Sequence, residues 1–441
     1  MRGSSATTTW GTPALLLAWS LLATGICLRD GTYSPLALLA VTSGYAVLLP
    51  VVLAGGRLCP MTELAKARRW LAVPAALIAV GSVVWARHWY AHGGWLTVSH
   101  WATGAAVCAG IATLWPRWGR SRLGWLAPAG LAALAAVAMV VAAPNPHIDV
   151  WYLLQDSTRG LAEGRNMYRQ VWPESSGLYA VYPYLPITSV VLAPFRLLLG
   201  DVRYGLLLAS LLASLFTRRL AGIAAPALLP LLILLAPKST YALQQSWTEP
   251  LLVAALAGML LAMRAGRTRW AVVALALALA TKQHMVLLIP LAIWWPAFGL
   301  RRTAAAAGTA GLLVLPWVLA DPVAFFHDAV YANLTLGVQT RGLGLPSLLV
   351  RHGVTTSFLF TLVALGAAYA VIRSRRLVRD GSDFALAGAF VLWTLDLTNK
   401  QAFFNHYTLP LALIVMAIAA ARPTGGPVSP APERPVSVRV A

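Results

Sequence analysis

Charged residues are scarce in this chain, and acidic residues are the scarcer kind. Of the 441 residues, 11% are charged, 14 are acidic and 59% are hydrophobic. A water-soluble domain carries about 25% charged residues and about half apolar residues, so this composition excludes an ordinary soluble protein. We expect a protein that crosses a membrane several times.

Cysteine is also rare. The three cysteines, Cys27, Cys59 and Cys108, share no metal-ligand spacing and no pairing pattern. A disulfide framework or a cysteine metal site is therefore not expected. We interpret these residues as small hydrophobic side chains without a chemical role.

Basic residues are numerous, but their distribution argues against a nucleic-acid partner. The formal net charge is +20, and the arginines occur in short clusters between apolar runs, as they do in cytoplasmic loops of membrane proteins. The clusters assigned to the cytoplasm are Arg57 with Lys66, Arg68 and Arg69; Arg117, Arg120 and Arg122; Arg218 and Arg219; Arg264, Arg267 and Arg269; Arg301 and Arg302; and Arg373, Arg375, Arg376 and Arg379. This pattern predicts a multi-pass protein of the cell membrane with both termini in the cytoplasm.

Apolar segments recur along the whole chain at roughly the length that crosses a bilayer as a helix, about 20 residues. Lipid offers no hydrogen bonds to the backbone, so these segments are expected to be helical. The expected spans are 13–29, 35–54, 70–86, 100–116, 123–143, 203–217, 222–236, 249–263, 270–281, 285–298, 303–320, 354–372, 382–398 and 407–421. The predicted fold class is all-α, with about 14 transmembrane helices.

One further apolar segment, 185–199, cannot cross if the next one does. Segment 203–217 must end at the inner Arg218, so only one of the two can connect the outer side with the inner side. Prolines at its ends and Arg196 favour an interfacial position for 185–199. The predicted regions are N-terminal helices 1–143, an extracytoplasmic catalytic loop 144–202, a C-terminal transmembrane core 203–421 and a disordered cytoplasmic tail 422–441.

Residues 147–184 form a long polar stretch, and Asp149 lies near its start beside Trp151 and Tyr152. A carboxylate at the edge of the bilayer, where water is scarce, suits a general base. Apolar residues at helical spacing between Asp149 and Leu161 predict an amphipathic helix along the surface. The alternative is a charge that only caps an interfacial helix.

Lysine is rare even among the 34 basic residues. Four are lysines, and Lys238, Lys282 and Lys400 fall at predicted outer ends of helices. A compact ammonium group at such a position suits a phosphate. Two alternatives stay open, which are chance and, for Lys400, an ion pair with Asp396 at i, i+4 spacing.

The polar stretch ends in aromatic residues, Tyr179, Tyr182 and Tyr184, just before the segment 185–199. Their ring faces can stack on sugar rings. Tyrosine also collects at membrane interfaces as an anchor, and this alternative stays open.

Taken together, these motifs resemble the polyprenyl-phosphate-sugar glycosyltransferases of the GT-C superfamily. The family 87 type, which includes bacterial mannosyl and arabinofuranosyl transferases, is the most similar. The resemblance covers about residues 145–415. Its elements are Asp149 after a helix, Leu-Ala-Glu-Gly-Arg-Asn-Met-Tyr at 161–168, Tyr-Pro-Tyr-Leu-Pro at 182–186, Thr-Lys-Gln-His at 281–284 and Asn-Lys-Gln-Ala-Phe-Phe-Asn-His-Tyr at 399–407.

The resemblance implies inverting transfer of a sugar, with mannose as the first expectation, from a polyprenyl-phosphate donor to a lipid or glycan acceptor outside the membrane. Asp149 would be the general base. The donor phosphate would be held by Lys282, His284, Lys400 and Arg341, and the sugar or acceptor by Tyr182, Tyr184, Gln245, His406 and Asp156. Retention would need a second nucleophile, for which Asp156 stays open.

The sequence contains no Asp-x-Asp motif. We therefore predict a metal-independent reaction without a cofactor, in a protein that acts as a monomer among membrane lipids. A transporter or flippase of a lipid-linked or anionic solute is the alternative, and it would be expected to show inverted repeats and charges within its helices. A noncatalytic membrane scaffold with a degenerate transferase core is the third hypothesis.

Overall fold

The computed structural model describes residues 10–56, 58–61, 64–85, 88–115, 118, 123–172 and 181–422. Within these residues the regular structure is helical, and Thr32 and Gly342 form one isolated β-bridge. The predicted all-helical class is therefore confirmed. Tyr179 and the predicted tail beyond Arg422 lie outside the described residues.

The N-terminal region is built from long helices that pack against one another. They are α1 Gly11–Leu28, α2 Pro35–Leu53, α3 Leu64–Val84, α4 Gly94–Ala112 and α5 Leu123–Ala142. Ser34 shows how such a helix begins, because its hydroxyl accepts a hydrogen bond from Ala37 N over 3.1 Å and Pro35 occupies the first helical position. Within this region α1 packs on α2 and α3, and α4 packs on α5.

Two amphipathic helices, α6 Asp149–Ala162 and α7 Ile187–Leu199, pack against each other between α5 and the C-terminal region. The apolar face of α6 buries Leu153 and Leu154 in a hydrophobic core that also contains Tyr168 and is separate from the main core of the bundle. We call α6, α7 and this second core the outer layer. Both helices lie where the sequence predicts them.

The C-terminal region combines long helices with short ones. They are α8 Arg203–Ala221, α9 Leu228–Leu235, α10 Ser239–Gln244, α11 Glu249–Arg264, α12 Thr268–Thr281, a 3₁₀ segment Gln283–Leu288, α13 Ile289–Trp294, α14 Gly299–Ala320, α15 Pro322–Phe326, a π turn His327–Tyr331, α16 Ala332–Thr335, α17 Leu345–Arg351, α18 Phe358–Ser374, α19 Gly381–Thr398 and α20 Phe404–Ala420. Helices α19 and α20 are buried along almost their whole length and form the centre of the bundle.

Six helices of the described chain are long and apolar enough to cross a membrane, namely α1, α2, α3, α5, α8 and α14. The protein is thus a helical membrane protein, while the number of about 14 spans stays a prediction. Two expected spans are broken: 222–236 contains only the eight-residue α9, and 285–298 is divided between a 3₁₀ segment and α13. Proline explains the first break, because Pro226 and Pro237 flank a helix only about 12 Å long.

Candidate functional site

Asp149 is the first residue of α6 and follows the extended Ile148. Its Oδ1 atom accepts a hydrogen bond from Val150 N over 2.7 Å. Burial raises the pKa of the Asp149 carboxyl above its ordinary value, and the bond from Val150 partly opposes that shift. A carboxylate with a raised pKa binds a proton more strongly, so this position favours a general base.

A buried ion pair holds the start of α6 in place. Arg203 bonds Asp201, with Nη2 and Oδ2 2.6 Å apart, and the same nitrogen donates to Ala143 O over 2.8 Å. Trp151 Nε1 donates to Asp201 Oδ2 over 3.3 Å. The chain after α5, the start of α6 and the start of α8 are therefore fixed together, which fixes the position of Asp149.

Asp156 lies seven residues after Asp149 on the same helix and bonds Arg159 over 2.7 Å. Seven residues rise about 10.5 Å along a helix, whereas retaining hydrolysis places two carboxyl groups only about 5 to 5.5 Å apart. The geometry thus argues against Asp156 as a second nucleophile beside Asp149. Its role toward the acceptor stays a prediction.

The structure places Tyr182 in the core of the outer layer. Its side chain is fully buried, its hydroxyl lies 2.5 Å from Ser189 Oγ, and its backbone N donates to Asp328 Oδ2 over 2.9 Å. Ser189 in turn lies 2.6 Å from Ser157 on α6. Tyr182 therefore ties α6 to α7 with its ring buried, and its role toward a sugar stays a prediction.

Tyr184 connects the outer layer with a group of charged residues. Its ring lies edge-on to Tyr182, and Lys282 Nζ lies 5.9 Å from its ring centre. Lys282 follows directly after α12, and it forms an ion pair with Glu249 Oε1 at the start of α11. Asn405 Nδ2 donates to the same oxygen over 3.1 Å.

A second carboxylate completes this group. Asp396 Oδ1 lies 3.6 Å from His406 Nδ1, and His284 lies close to both Lys282 and His406. Lys282 and His284, which were predicted to hold the phosphate, therefore lie beside two carboxylates. His406, which was predicted to hold the sugar or acceptor, lies there as well. We call this set the buried charge cluster; its members are Glu249, Lys282, His284, Asp396, Asn405 and His406.

Each carboxylate of the cluster keeps one oxygen free. Glu249 is 2% exposed and Asp396 is 3% exposed, and neither Glu249 Oε2 nor Asp396 Oδ2 has a hydrogen-bond partner among the described residues. Buried polar atoms in folded proteins nearly always have a partner, because an unmade hydrogen bond is costly. The two oxygens therefore carry a free-energy cost in this conformation.

The other two residues predicted for the phosphate lie elsewhere. Lys400 lies between α19 and α20, and its Nζ donates to Leu334 O over 2.5 Å. Gln339 N donates to Lys400 O over 2.8 Å, and Arg341 is exposed two residues further on. Lys400 thus contacts the segment 334–341, which carries Arg341, and we call Lys400 and this segment together the outer basic loop.

The possible ion pair between Lys400 and Asp396 does not form. Helix α19 ends at Thr398, so Lys400 lies outside the helix and loses the i, i+4 geometry. Asp396 faces His406 instead. That alternative is therefore wrong for this structure, and both residues are available for other contacts.

Lys238, the third lysine, has a complete set of partners. Its ammonium group forms an ion pair with Asp30 Oδ1 and lies 5.0 Å from the ring centre of Tyr241. Trp89 Nε1 donates to Asp30 Oδ2 over 3.2 Å, so both oxygens of Asp30 are bonded. Gln245, predicted for the sugar, is also buried, and its Nε2 donates to Gln244 Oε1 over 3.1 Å.

Two cavities of similar size lie beside the broken helix. The Glu249 cavity has a volume of about 100 Å³, and the Lys238 cavity has about 70 Å³. Their polar ends differ, since Glu249 lines the first, and Lys238, His88 and His100 line the second. The wall that they share is formed by Ser210, Ile233, Ala236, Pro237, Ser239 and Leu243.

Sequence analysis did not assign Glu249 to the site, although a signal was present. Glu249 begins one predicted span and Lys282 directly follows the next, so an antiparallel hairpin brings both to the same side of the membrane. A charge in such a position is costly without a partner. The contact between this hairpin and the α19–α20 pair, which adds Asp396 and His406, leaves no comparable signal in the sequence.

Comparison with known proteins identifies no relative. No family model, no curated protein and no solved structure matches this chain. Among the described residues, no group of three or more His, Cys, Asp or Glu side chains is arranged to hold a metal ion. The similarity to GT-C transferases and the metal-independent reaction therefore both stay predictions.

Proposed function

We propose that the protein is a membrane glycosyltransferase that moves a sugar, mannose being the first to test, from a polyprenyl-phosphate donor to an acceptor at the extracytoplasmic face. The observation that carries the proposal is the half-buried Asp149 with a raised pKa, held at the start of an amphipathic helix. This position offers a base next to the lipid, where both a membrane-bound donor and an acceptor hydroxyl arrive.

In the proposed reaction Asp149 takes the proton of the acceptor hydroxyl while its oxygen attacks the anomeric carbon. The bond between that carbon and the phosphate oxygen breaks, and the polyprenyl phosphate leaves with the electron pair. One carboxylate is sufficient for this direct displacement, which inverts the anomeric configuration. The distance of about 10.5 Å along α6 to Asp156 agrees with a single base.

The leaving phosphate needs positive charge close to it. Lys282 is already neutralised by Glu249, whereas Lys400 and Arg341 form no ion pair within the described residues. We therefore assign the phosphate to the outer basic loop. The buried charge cluster is left for uncharged polar groups of the substrates.

The test uses a panel of radiolabelled polyprenyl-phosphate sugars, with chelator present, and three forms of the protein in membranes. The wild type and Asp328→Asn are expected to form product, while Asp149→Asn binds the donor and forms none. Asp328 is the matched control because it accepts a hydrogen bond from the backbone of Tyr182 in the outer layer and burial raises its pKa as well. Turnover by Asp149→Asn would contradict the proposal.

A second function has one observation in its favour. Buried ionisable groups within a helical bundle, such as Glu249 and Asp396, often mark ion or proton pathways in transporters. Proteoliposomes distinguish the two functions. Movement of a labelled lipid-linked sugar between the leaflets, without any product and without effect of Asp149→Asn, would favour the transporter.

A further inference from the structure

A pocket lined by arginines lies at the end of the bundle that the positive-inside pattern assigns to the cytoplasm. It lies between the end of α13, the end of α18 and the turn that leads into α19, and its volume is about 310 Å³. Such a volume is within the range of small-molecule sites, about 300 to 1,000 Å³. Arg373, Arg376 and Arg379 line the pocket, which we call the arginine pocket.

The other side chains of the arginine pocket are apolar. Ile372, Leu377 and Val378 line it and are buried, whereas the arginines are exposed. Trp294 forms part of a wall, and the guanidinium carbon of Arg373 lies 6.0 Å from its ring centre. Guanidinium groups bind phosphate oxygens through paired hydrogen bonds. The pocket therefore suits a molecule that joins a phosphate to an apolar part.

The charges around the pocket are not balanced within the described chain. Residues 373–383 contain four arginines and two aspartates, a formal net charge of +2. Both aspartates are engaged at the start of α19, because Asp380 accepts a hydrogen bond from Asp383 N over 3.0 Å and Asp383 pairs with Arg379 over 2.7 Å. The other two arginines that line the pocket form no ion pair with a described residue. An anion beside them would be attracted.

The backbone at Arg376 is strained. Its φ is 46°, and α18 ends there with bonds from Arg376 N to Arg373 O and from Leu377 N to Ile372 O, both over 3.1 Å. Glycine is the usual residue at this position of a helix end, because a Cβ is unfavourable at positive φ. Strained residues of this kind are concentrated at ligand sites and switches. An arginine in this position therefore indicates a use for its guanidinium group.

Two features separate the arginine pocket from the ordinary charge pattern of a membrane protein. Clustered arginines orient a chain in the bilayer, but this role requires neither a cavity nor a strained backbone. The pocket has both, and they coincide at Arg376. A bound anion accounts for the cavity, the unpaired guanidinium groups and the strain together.

The arginine pocket lies far from the site proposed for sugar transfer. Helix α18 has 17 residues and is therefore about 25 Å long. Thr361, near its start, donates a hydrogen bond to Thr398 O, two residues before Lys400. The outer basic loop and the arginine pocket thus lie at opposite ends of α18.

We propose that the arginine pocket binds the phosphate head of an anionic phospholipid, with Arg373 and Arg376 on the phosphate and Trp294 against the glycerol and the adjoining acyl chain. A lipid is favoured over a soluble phosphate compound because the floor is apolar and tryptophan at a helix end lies at the depth of lipid head groups. Basic pockets between membrane helices bind anionic lipid heads in this way. The site does not depend on the proposed glycosyltransferase function.

Photo-crosslinking in phosphatidylcholine nanodiscs tests the site. Two diazirine-bearing probes with the same acyl chains, a phosphatidylglycerol and a phosphatidylcholine, are added in turn, and labelled residues are mapped by mass spectrometry. The phosphatidylglycerol is expected to label Trp294, Leu377 and Val378 about ten-fold more than the phosphatidylcholine does. Equal labelling of these residues by both probes, or labelling by neither, would overturn the proposal.

Two double variants separate the pocket from general attraction to a basic surface. Arg373→Gln with Arg376→Gln removes both phosphate contacts and breaks no ion pair of the described chain. Arg267→Gln with Arg269→Gln removes the same charge near the start of α12, on the same predicted side. Phosphatidylglycerol labelling of the pocket should fall about ten-fold or more in the first variant and stay unchanged in the second. An equal fall in both would contradict a specific site.

Arg376→Gly separates binding from folding. Glycine adopts the observed φ without strain, so the temperature of thermal unfolding should not fall, whereas phosphatidylglycerol labelling should. Retained labelling in this variant would show that Arg376 does not hold the phosphate. Glycerol 3-phosphate, added as a soluble competitor, should leave the labelling of the wild type unchanged. Displacement by this competitor would assign the pocket to a soluble phosphate compound and would refute the lipid.

Discussion

Two lysine–carboxylate pairs have the same chemistry but differ in the hydrogen bonds that their carboxylate oxygens receive. Lys238 pairs with Asp30 and Lys282 pairs with Glu249, and each pair lies beside an apolar cavity of similar size. Each also has two histidines on its side of the bundle. These are His88 and His100 for the first cavity, and His284 and His406 for the buried charge cluster.

The difference lies in the second carboxylate oxygen. The side chain of Asp30 is 24% exposed and bonds Trp89 with its other oxygen, whereas the side chain of Glu249 is 3% exposed and leaves Oε2 without a partner in the described chain. A satisfied buried pair holds the fold together. The pair of Lys282 and Glu249 instead leaves a buried acceptor atom without a hydrogen bond, which costs free energy.

The largest expected effect concerns stability. Glu249→Ala leaves the ammonium of Lys282 buried without a counter-ion, and this should cost about 3 to 5 kcal/mol of unfolding free energy. Asp30→Ala should cost less, because Lys238 keeps its contact with the ring of Tyr241. Thermal unfolding of both variants in the same nanodiscs measures the difference. Equal losses would remove the distinction between the two pairs.

The next effect concerns the donor. Lys400→Gln and Arg341→Gln each remove a cation from the outer basic loop, so the KM for the polyprenyl-phosphate sugar should rise about ten-fold or more. Lys238→Gln, in the satisfied pair, should leave that KM unchanged. Initial rates against donor concentration give the comparison. If Lys238→Gln raises the donor KM as much as Lys400→Gln does, the assignment of the phosphate to the outer basic loop is wrong.

The pH profile sharpens the assignment of the base. In the proposed reaction Asp149 acts in its deprotonated form, and burial raises its pKa above the ordinary value of 3.8. Activity should therefore be lost as pH falls through that raised pKa, which places the acid limb of kcat/KM above pH 3.8. Asp328→Asn should keep the limb in place, although burial raises the pKa of Asp328 too. A limb that moves in this variant would point to Asp328.

The smallest effect belongs to Asp156. Its ion pair with Arg159 lies at the surface, so Asp156→Asn should change the unfolding free energy by no more than about 1 kcal/mol. The anomeric configuration of the product should remain inverted, as NMR of the product can show. A retained configuration in the wild type that is lost in Asp156→Asn would restore Asp156 as a nucleophile.

The positions of the helices were predictable, because lipid forces apolar segments into helices. Segment 35–54 is predicted and Pro35–Leu53 is observed, and segment 185–199 appears as the helix Ile187–Leu199, while its interfacial position stays a prediction. The late start of α9 was not predicted, because the expected span begins at residue 222 and the helix begins at Leu228. Hydrophobicity alone treats Pro226 as an ordinary member of the apolar run, whereas a proline disfavours helical backbone at the residue before it.

The site was predictable only in part. The start of α6 at Asp149 follows from the apolar spacing after it, so the sequence indicates this residue directly. The four residues predicted to hold the phosphate lie in two places. Lys282 and His284 belong to the buried charge cluster, whereas Lys400 and Arg341 belong to the outer basic loop. Such contacts depend on how helices from distant parts of the chain pack, which spacing along one segment does not reveal.

The backbone at Lys238 has a consequence for how this protein can evolve. Its φ is 63°, in the left-handed region where glycine fits freely and other residues are strained by about 1 to 2 kcal/mol. The ion pair with Asp30 opposes that strain. A lineage that loses Asp30 loses the reason to keep a lysine there, so we expect positions 30 and 238 to change together, with glycine or asparagine replacing Lys238 wherever the carboxylate is gone.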